Sequence, residues 1–227
     1  MKKIFIIALC SLMVFSSCGN MNNLGKGTLI GTGAGAAAGA GIGALIGGSR
    51  GAAIGAAIGT AVGAGTGAVI GDVMDRKAKE LDEALAANVE TVTDVNGLQA
   101  IKVTFDNGIL FDTNKSNLSA SAKTELKTFA DQMKDLPDTQ ITVYGHTDNT
   151  GTAEVNERIS KQRADAVSAQ LQSNGISSSR ITAEGKSFNE PVADNSTAEG
   201  RAQNRRVEIY ISANADMVKA AEEGTLK

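Results

Sequence analysis

Hydrophobic and polar residues follow one another along this chain with a spacing that changes from segment to segment, and each spacing predicts a different element. Ile4 to Phe15 is an apolar run, broken only by Ser11, behind Lys2 and Lys3. From Gly27 to Gly71 glycine returns at every fourth position, twelve times without a gap, with Ala, Ile, Leu, Val and a few Thr between. Asp72 to Ala87 then places Met74, Ala78, Leu81 and Leu85 on one stripe, which predicts an amphipathic connecting helix. Val89 to Val95 and Leu98 to Phe105 alternate about Asn96-Gly97, a strong hairpin signal. Gly108 to Phe111 leads into a loop ending at Asp112-Thr113-Asn114-Lys115.

Downstream, helical and strand periods take turns. Ser119 caps a predicted helix running to about Asp135, with Leu126, Phe129, Ala130 and Met133 inward and Pro137 as its stop. Ile141 to Tyr144 reads as a strand. A long helix from about Ala153 to Ser173 follows, with Ile159, Ala166, Val167 and Leu171 inward and Asn174-Gly175 as a left-handed cap. Ile181 to Glu184, a short helix over about Ala198 to Asn204, and Val207 to Ile211 complete the pattern. Strands alternating with helices predict an α/β layer with a mixed, mainly parallel central sheet and right-handed crossovers. The tail 213–227 is charged and weakly apolar, and is expected to be flexible.

The glycine register has its own physics. Residues four apart are neighbours on a helix, so the glycines make a bare groove that admits a second backbone. Four exceeds 3.6, so paired grooves should cross right-handed. Each interior glycine costs about 1 kcal/mol against alanine, so such a helix needs lipid or a partner. Gly47-Gly48-Ser49-Arg50-Gly51 carries the segment's internal charge and reads as a turn. The arms 27–47 and 51–71 have twenty-one residues each, about 31 Å as helix against a hydrocarbon core of about 30 Å. The reading is a helical hairpin, inserted in a membrane or packed against copies of itself. A flexible linker is the competing reading, but linkers are usually polar and keep no register.

The N-terminus has the form of an export signal: a basic head, an apolar run too short to span a bilayer, and the small pair Ser16-Ser17 before Cys18. Cleavage there, over residues 1–17, leaves Cys18 as the sole cysteine, so no intramolecular disulfide is possible. Cys18 stands where a bacterial lipoprotein carries its acylated cysteine, although Phe15 departs from the usual aliphatic residue. An ordinary secreted protein with an incidental Cys18 is the alternative. Residues 1–71 hold four bases and no acid, so the 25 acids and the 18 remaining bases give 72–227 a net charge of −7. That balance disfavours nucleic acid as a partner.

Candidate chemistry gathers in Gly145-His146-Thr147-Asp148-Asn149-Thr150-Gly151 and in Asn156-Glu157-Arg158-Ile159-Ser160-Lys161-Gln162-Arg163-Ala164. A carboxylate closing a strand and a guanidinium inside the next helix can grip the two ends of an amino-acid zwitterion. This stretch, with Glu199-Gly200-Arg201-Ala202-Gln203-Asn204-Arg205-Arg206-Val207-Glu208, resembles the two signatures of OmpA-like C-terminal domains, over roughly residues 100–212. The resemblance implies an OmpA-like βαβαβ-type layered fold and a peptidoglycan ligand, the diaminopimelate of the stem peptide. It assigns Asp148 and Arg163 to the grip, and Asn114, Thr150 and Asn156 to neighbouring contacts. The bland readings are a structural Asp148–Arg163 ion pair and a loop-bracing Asn156. Arg205 and Arg206 are expected to pair with acids or cover the sheet edge rather than touch ligand.

His146 is the lone histidine. Zinc needs three or four ligands and a serine triad needs a nucleophile elbow, so neither reading has support, and His146 reads as loop packing. No cofactor is expected. The organisation expected is signal peptide 1–17, lipid-anchored linker 18–26, glycine-zipper hairpin 27–71, connecting helix and hairpin strand 72–99, and wall-binding domain 100–212. The function expected is non-catalytic: an outer-membrane lipoprotein holding peptidoglycan from the periplasm, with possible homo-oligomers through the zipper. A membrane-perturbing or self-assembling zipper protein, in which wall binding only anchors, is the alternative. A wall hydrolase would need paired carboxylates or a metal.

Overall fold

The computed structural model describes residues 64–94, 96–106, 110–111 and 116–226. The proposed signal, Cys18 and most of the glycine register lie outside the described residues.

Helix α1, Ala64–Ala84, opens the described chain. It starts eight residues before the expected boundary and runs from the glycine register into the amphipathic stripe without a break. A Cβ at Gly67 would sit 3.9 Å from Leu98 and one at Gly71 3.4 Å from Gln99 Oε1, so the last register glycines face the domain's own hairpin. Ile70, Met74 and Leu81 are fully buried. The boundary expected at 71/72 therefore falls inside one helix.

Strands β1, Asn88–Thr93, and β2, Gln99–Asp106, form the expected hairpin. Asp94 Oδ1 accepts the Asn96 and Leu98 backbone N–H groups at 2.8 and 2.9 Å, and Gly97 takes a φ of 76°. Helix α2, Ala120–Gln132, is capped by Ser119, whose Oγ accepts Ala122 N–H. Strand β3, Thr139–His146, helix α3, Ala153–Ser173, and strand β4, Ile181–Ser187, make one β–α–β unit. Gly175, at φ 100°, ends α3, with Ile176 N–H returning to Leu171 O. Helix α4, Ala198–Asn204, leads into β5, Arg206–Ala213.

The sheet order is β1-β2-β5-β3-β4, and only β3–β4 is a parallel pair. The α/β class and mixed sheet stand as expected; the mainly parallel pairing does not. A parallel return requires a connection that runs back along the sheet. The connection here, residues 188–205, instead folds back on itself, with Asn204 at the end of α4 binding the Val192 and Ala193 backbone. β5 starts at the edge where β4 ended, runs antiparallel to β2 and β3, and inserts between them.

The tail is not the expected flexible segment. Ala215–Glu222 forms helix α5, capped by Asn214, and buries Met217, Val218 and Ala221 against α1. Its apolar residues recur at helical spacing but are too few to stand out until α1 supplies the complementary face. One face of the sheet carries Ile101, Val103, Phe105, Ile141, Val143, Val207, Ile209 and Ile211 into the core beneath the helices.

Candidate functional site

Two glycines let α3 lie close to the sheet. A Cβ at Gly145 would fall 2.1 Å from Ser160 O, and one at Gly185 would fall 2.5 Å from Ser160 Oγ. The buried stripe of α3 is accordingly Asn156, Ser160, Arg163, Ala164, Val167, Ser168 and Leu171. It is more polar than the predicted stripe, because the site end of the helix faces a cleft rather than core. Ser160 Oγ also accepts Ser187 N–H at 3.1 Å, where the backbone turns to a φ of 53° just after Lys186, the extra residue of β4 in its ladder with β3.

The loop after β3 is fixed by its own side chains. Asp148 Oδ1 accepts Thr150 N–H at 2.8 Å. Asn156 Nδ2 donates to Thr150 O at 3.0 Å, and Thr152 Oγ1 accepts Val155 N–H as the cap of α3. Thr150 and Asn156 thus come together beside Asp148, with Asn156 as the brace. Asp148, Thr150, Asn156 and Arg163 line one cleft of ≈ 800 Å3, together with Asp106, Phe111, Arg201 and Arg205. Asn114 lies outside the described residues.

Arg205 is the residue that sequence reasoning set aside. Its Nη1 lies 2.6 Å from Asp148 Oδ2, so the acid it pairs with is the proposed ligand-gripping carboxylate. Burial raises the Asp148 carboxyl, but Arg205 and the Thr150 N–H outweigh it and hold the group below the usual carboxylate range. Arg163 is buried, with its Cζ 5.4 Å from the Phe111 ring centroid. Desolvation and the neighbouring Arg205 charge lower its pKa, while Asp148 opposes them. The cleft therefore presents a fixed carboxylate and a fixed guanidinium, with Arg205 and Arg201 on the α4 side.

Beneath the cleft, Arg206 Nε donates to Glu208 Oε1 at 2.8 Å, as expected of a residue pairing with an acid. Tyr210 Oη donates to Glu208 Oε2 at 3.1 Å, and His146 Nε2 lies 3.5 Å from the same oxygen. Burial raises the Glu208 carboxyl, but His146 and Arg206 override it and bring its pKa down to about 2. His146 is 1 % exposed and points into this network.

These features define a class: a layered α/β domain whose sheet edge carries a cleft with paired opposite charges. Residues 110–205 match the OmpA family and residues 1–79 match the YMGG-like Gly-zipper family. Residues 110–205 therefore form an OmpA-family domain, with a YMGG-like Gly-zipper segment in front of it. It is 43% identical over 106 residues to the probable lipoprotein YiaD of Escherichia coli, covering 47% of this chain and 48% of that one. The peptidoglycan-binding protein ArfA of Mycobacterium tuberculosis is 37% identical over 113 residues, 50% of this chain and 35% of that protein. The cell wall anchor of the T6SS from Pseudomonas aeruginosa superposes with a TM-score of 0.52 at 32% identity, covering 62% of this chain and 97% of that structure. The chain spans about half or less of the length of the curated relatives it matches. By their names these are a probable lipoprotein, a peptidoglycan-binding protein and a cell wall anchor.

Proposed function

We propose that the cleft holds the diaminopimelate of peptidoglycan stem peptides, with Asp148 taking the ammonium and Arg163 the carboxylate. Thr150, Asn156 and Asn114 complete the contacts. In this reading the chain is a non-catalytic outer-membrane lipoprotein, acylated at Cys18, that tethers the membrane to the wall from the periplasmic side. The observation that carries it is an ionised, buried Asp148 sharing one cleft with the buried Arg163. Because Arg205 occupies Asp148 Oδ2, an incoming ammonium must share that carboxylate or displace the guanidinium. Each charge-assisted hydrogen bond contributes about 1.5–3 kcal/mol before desolvation. One site then binds weakly, and many anchored copies raise the effective concentration.

The test is cosedimentation of the full-length chain with purified sacculi. Asp148→Asn and Arg163→Ala should each weaken binding at least tenfold, about 1.4 kcal/mol. Free diaminopimelate should compete, whereas alanine, lacking a second zwitterionic centre, should not. Wild-type binding by both variants, each still melting cooperatively, sinks the reading. The anchor has its own check: mass spectrometry of the mature N-terminus should find acyl chains on Cys18, and Cys18→Ala should release the protein from membranes. The match of residues 1–79 to a Gly-zipper family favours a second, compatible activity, self-assembly of the zipper in or on the membrane.

A further inference from the structure

We infer that Glu208 is a positioning residue for the wall-binding cleft, tying the segment that carries Asp148 to the segment that carries Arg205. This rests on the diaminopimelate reading above and deepens it. Glu208 touches none of the cleft, but two lines of contact run from it to the site.

The first passes through β3. Glu208 Oε2 lies 3.5 Å from His146 Nε2, and His146 directly precedes Thr147 and Asp148. The second passes through Arg206, which is 4 % exposed and donates to Glu208 Oε1, to Glu190 O at 3.1 Å and to Asn204 O at 3.4 Å. Arg206 therefore ends α4, whose next residue outward is Arg205, and also holds the start of the loop 189–197. Asn204, fully buried, continues the line. Its side chain binds Val192 N–H, Ala193 N–H and Ala193 O, and donates to Asn195 Oδ1 at 2.9 Å. Asn195 Oδ1 then accepts Asn149 N–H at 3.3 Å, one residue from Asp148.

The charge of Glu208 is what makes this frame hold. A buried guanidinium with its carboxylate removed would have to reach water, and Arg206 can do so only by leaving Glu190 and Asn204. The Asp148–Arg205 contact depends on both ends of the frame: the loop after β3 and the C-terminal turn of α4. Moving either by an ångström separates them.

Glu208→Gln in the full-length chain, held in detergent, tests this. Free diaminopimelate should bind at least fivefold more weakly by calorimetry. Amide exchange at Asn149 and Thr150 should speed up at least tenfold more than exchange in β2 and the middle of α3, whose amides follow global stability. Equal acceleration everywhere would mean general destabilisation and overturn the inference, as would wild-type affinity with unchanged loop exchange. Should Glu208→Gln fail to fold, the paired change Arg206→Met with Glu208→Leu strands no charge and is read the same way. Failure of the underlying reading looks different: wild type would then show no specific diaminopimelate response, or Asp148→Asn would bind it at wild-type strength, and the exchange data would still judge Glu208.

Discussion

Asp148 and Glu208 are both buried acids held ionised, and the contrast between them explains how the site is built. Asp148 is engaged by one exposed-side guanidinium and one backbone N–H, and remains open to the cleft. Glu208 is enclosed by Arg206, Tyr210 and His146 and serves the frame. The sign of its linkage follows directly. Its folded pKa, about 2, lies below the ordinary 4.5. The stabilisation is therefore complete above about pH 4.5 and is lost as pH falls toward 2, on the order of 3 kcal/mol in all. Urea melts between pH 6 and pH 2.5 should show native stability dropping across that window. Glu208→Gln should flatten the drop, and an unchanged slope in the variant would remove Glu208 from this role. That Asp148 and Arg163 share one cleft was legible in the sequence, from a carboxylate just after a strand and a guanidinium on the next helix. Arg205 was not, because its partner stands 57 residues away and is set by where α4 lands.

Among the elements, α3 decides whether the site exists, and its seat depends on Gly145 and Gly185. Neither residue takes an unusual φ, so their role is the space they leave. Gly145→Ala would place a methyl group 2.1 Å from Ser160 O, backbone that cannot swing aside. α3 must then lift from β3, at a cost typical of overpacking, about 1–3 kcal/mol. Arg163, one turn beyond Ser160, would shift with it. The expected result is a lower Tm together with weaker sacculus binding, measured on the same preparation. A variant that melts lower but binds as before would uncouple the seat of α3 from the site. The helices themselves were readable: α3 and α4 lie where the pattern placed them, while their N-caps Thr152 and Thr197 emerge from the structure. The order of strands was not, since it depended on the 188–205 connection folding back on itself through Asn204, which no periodic pattern carries.

For the molecule as a whole, the limits of the folded domain are wider than the motifs suggest. The signatures end near residue 212, and the family match spans 110–205. Yet α1 and α5 pack on each other, and α1 also covers β1 and β2. The apolar stripe of α1 was legible, but not that it packs into this domain, and α5 escaped because it is only eight residues long. Buried Lys77 adds a long-range tie, 2.9 Å to Asp135 beyond α2, alongside its bond to Glu80. Cutting the chain at residue 88 would strip Ile70, Met74 and Leu81, all fully buried, from the core. At about 1.5–3 kcal/mol for each such side chain, the loss rivals the whole 5–15 kcal/mol by which domains of this size are stable. A fragment of residues 64–226 should therefore melt cooperatively and bind sacculi, whereas a fragment of residues 88–212 should show neither a cooperative transition nor specific binding. Circular dichroism melts and cosedimentation of the two fragments, side by side, check this. If the shorter fragment melts at the same temperature as the longer one, α1 and α5 are appendages, and the wall-binding domain ends where its motifs do.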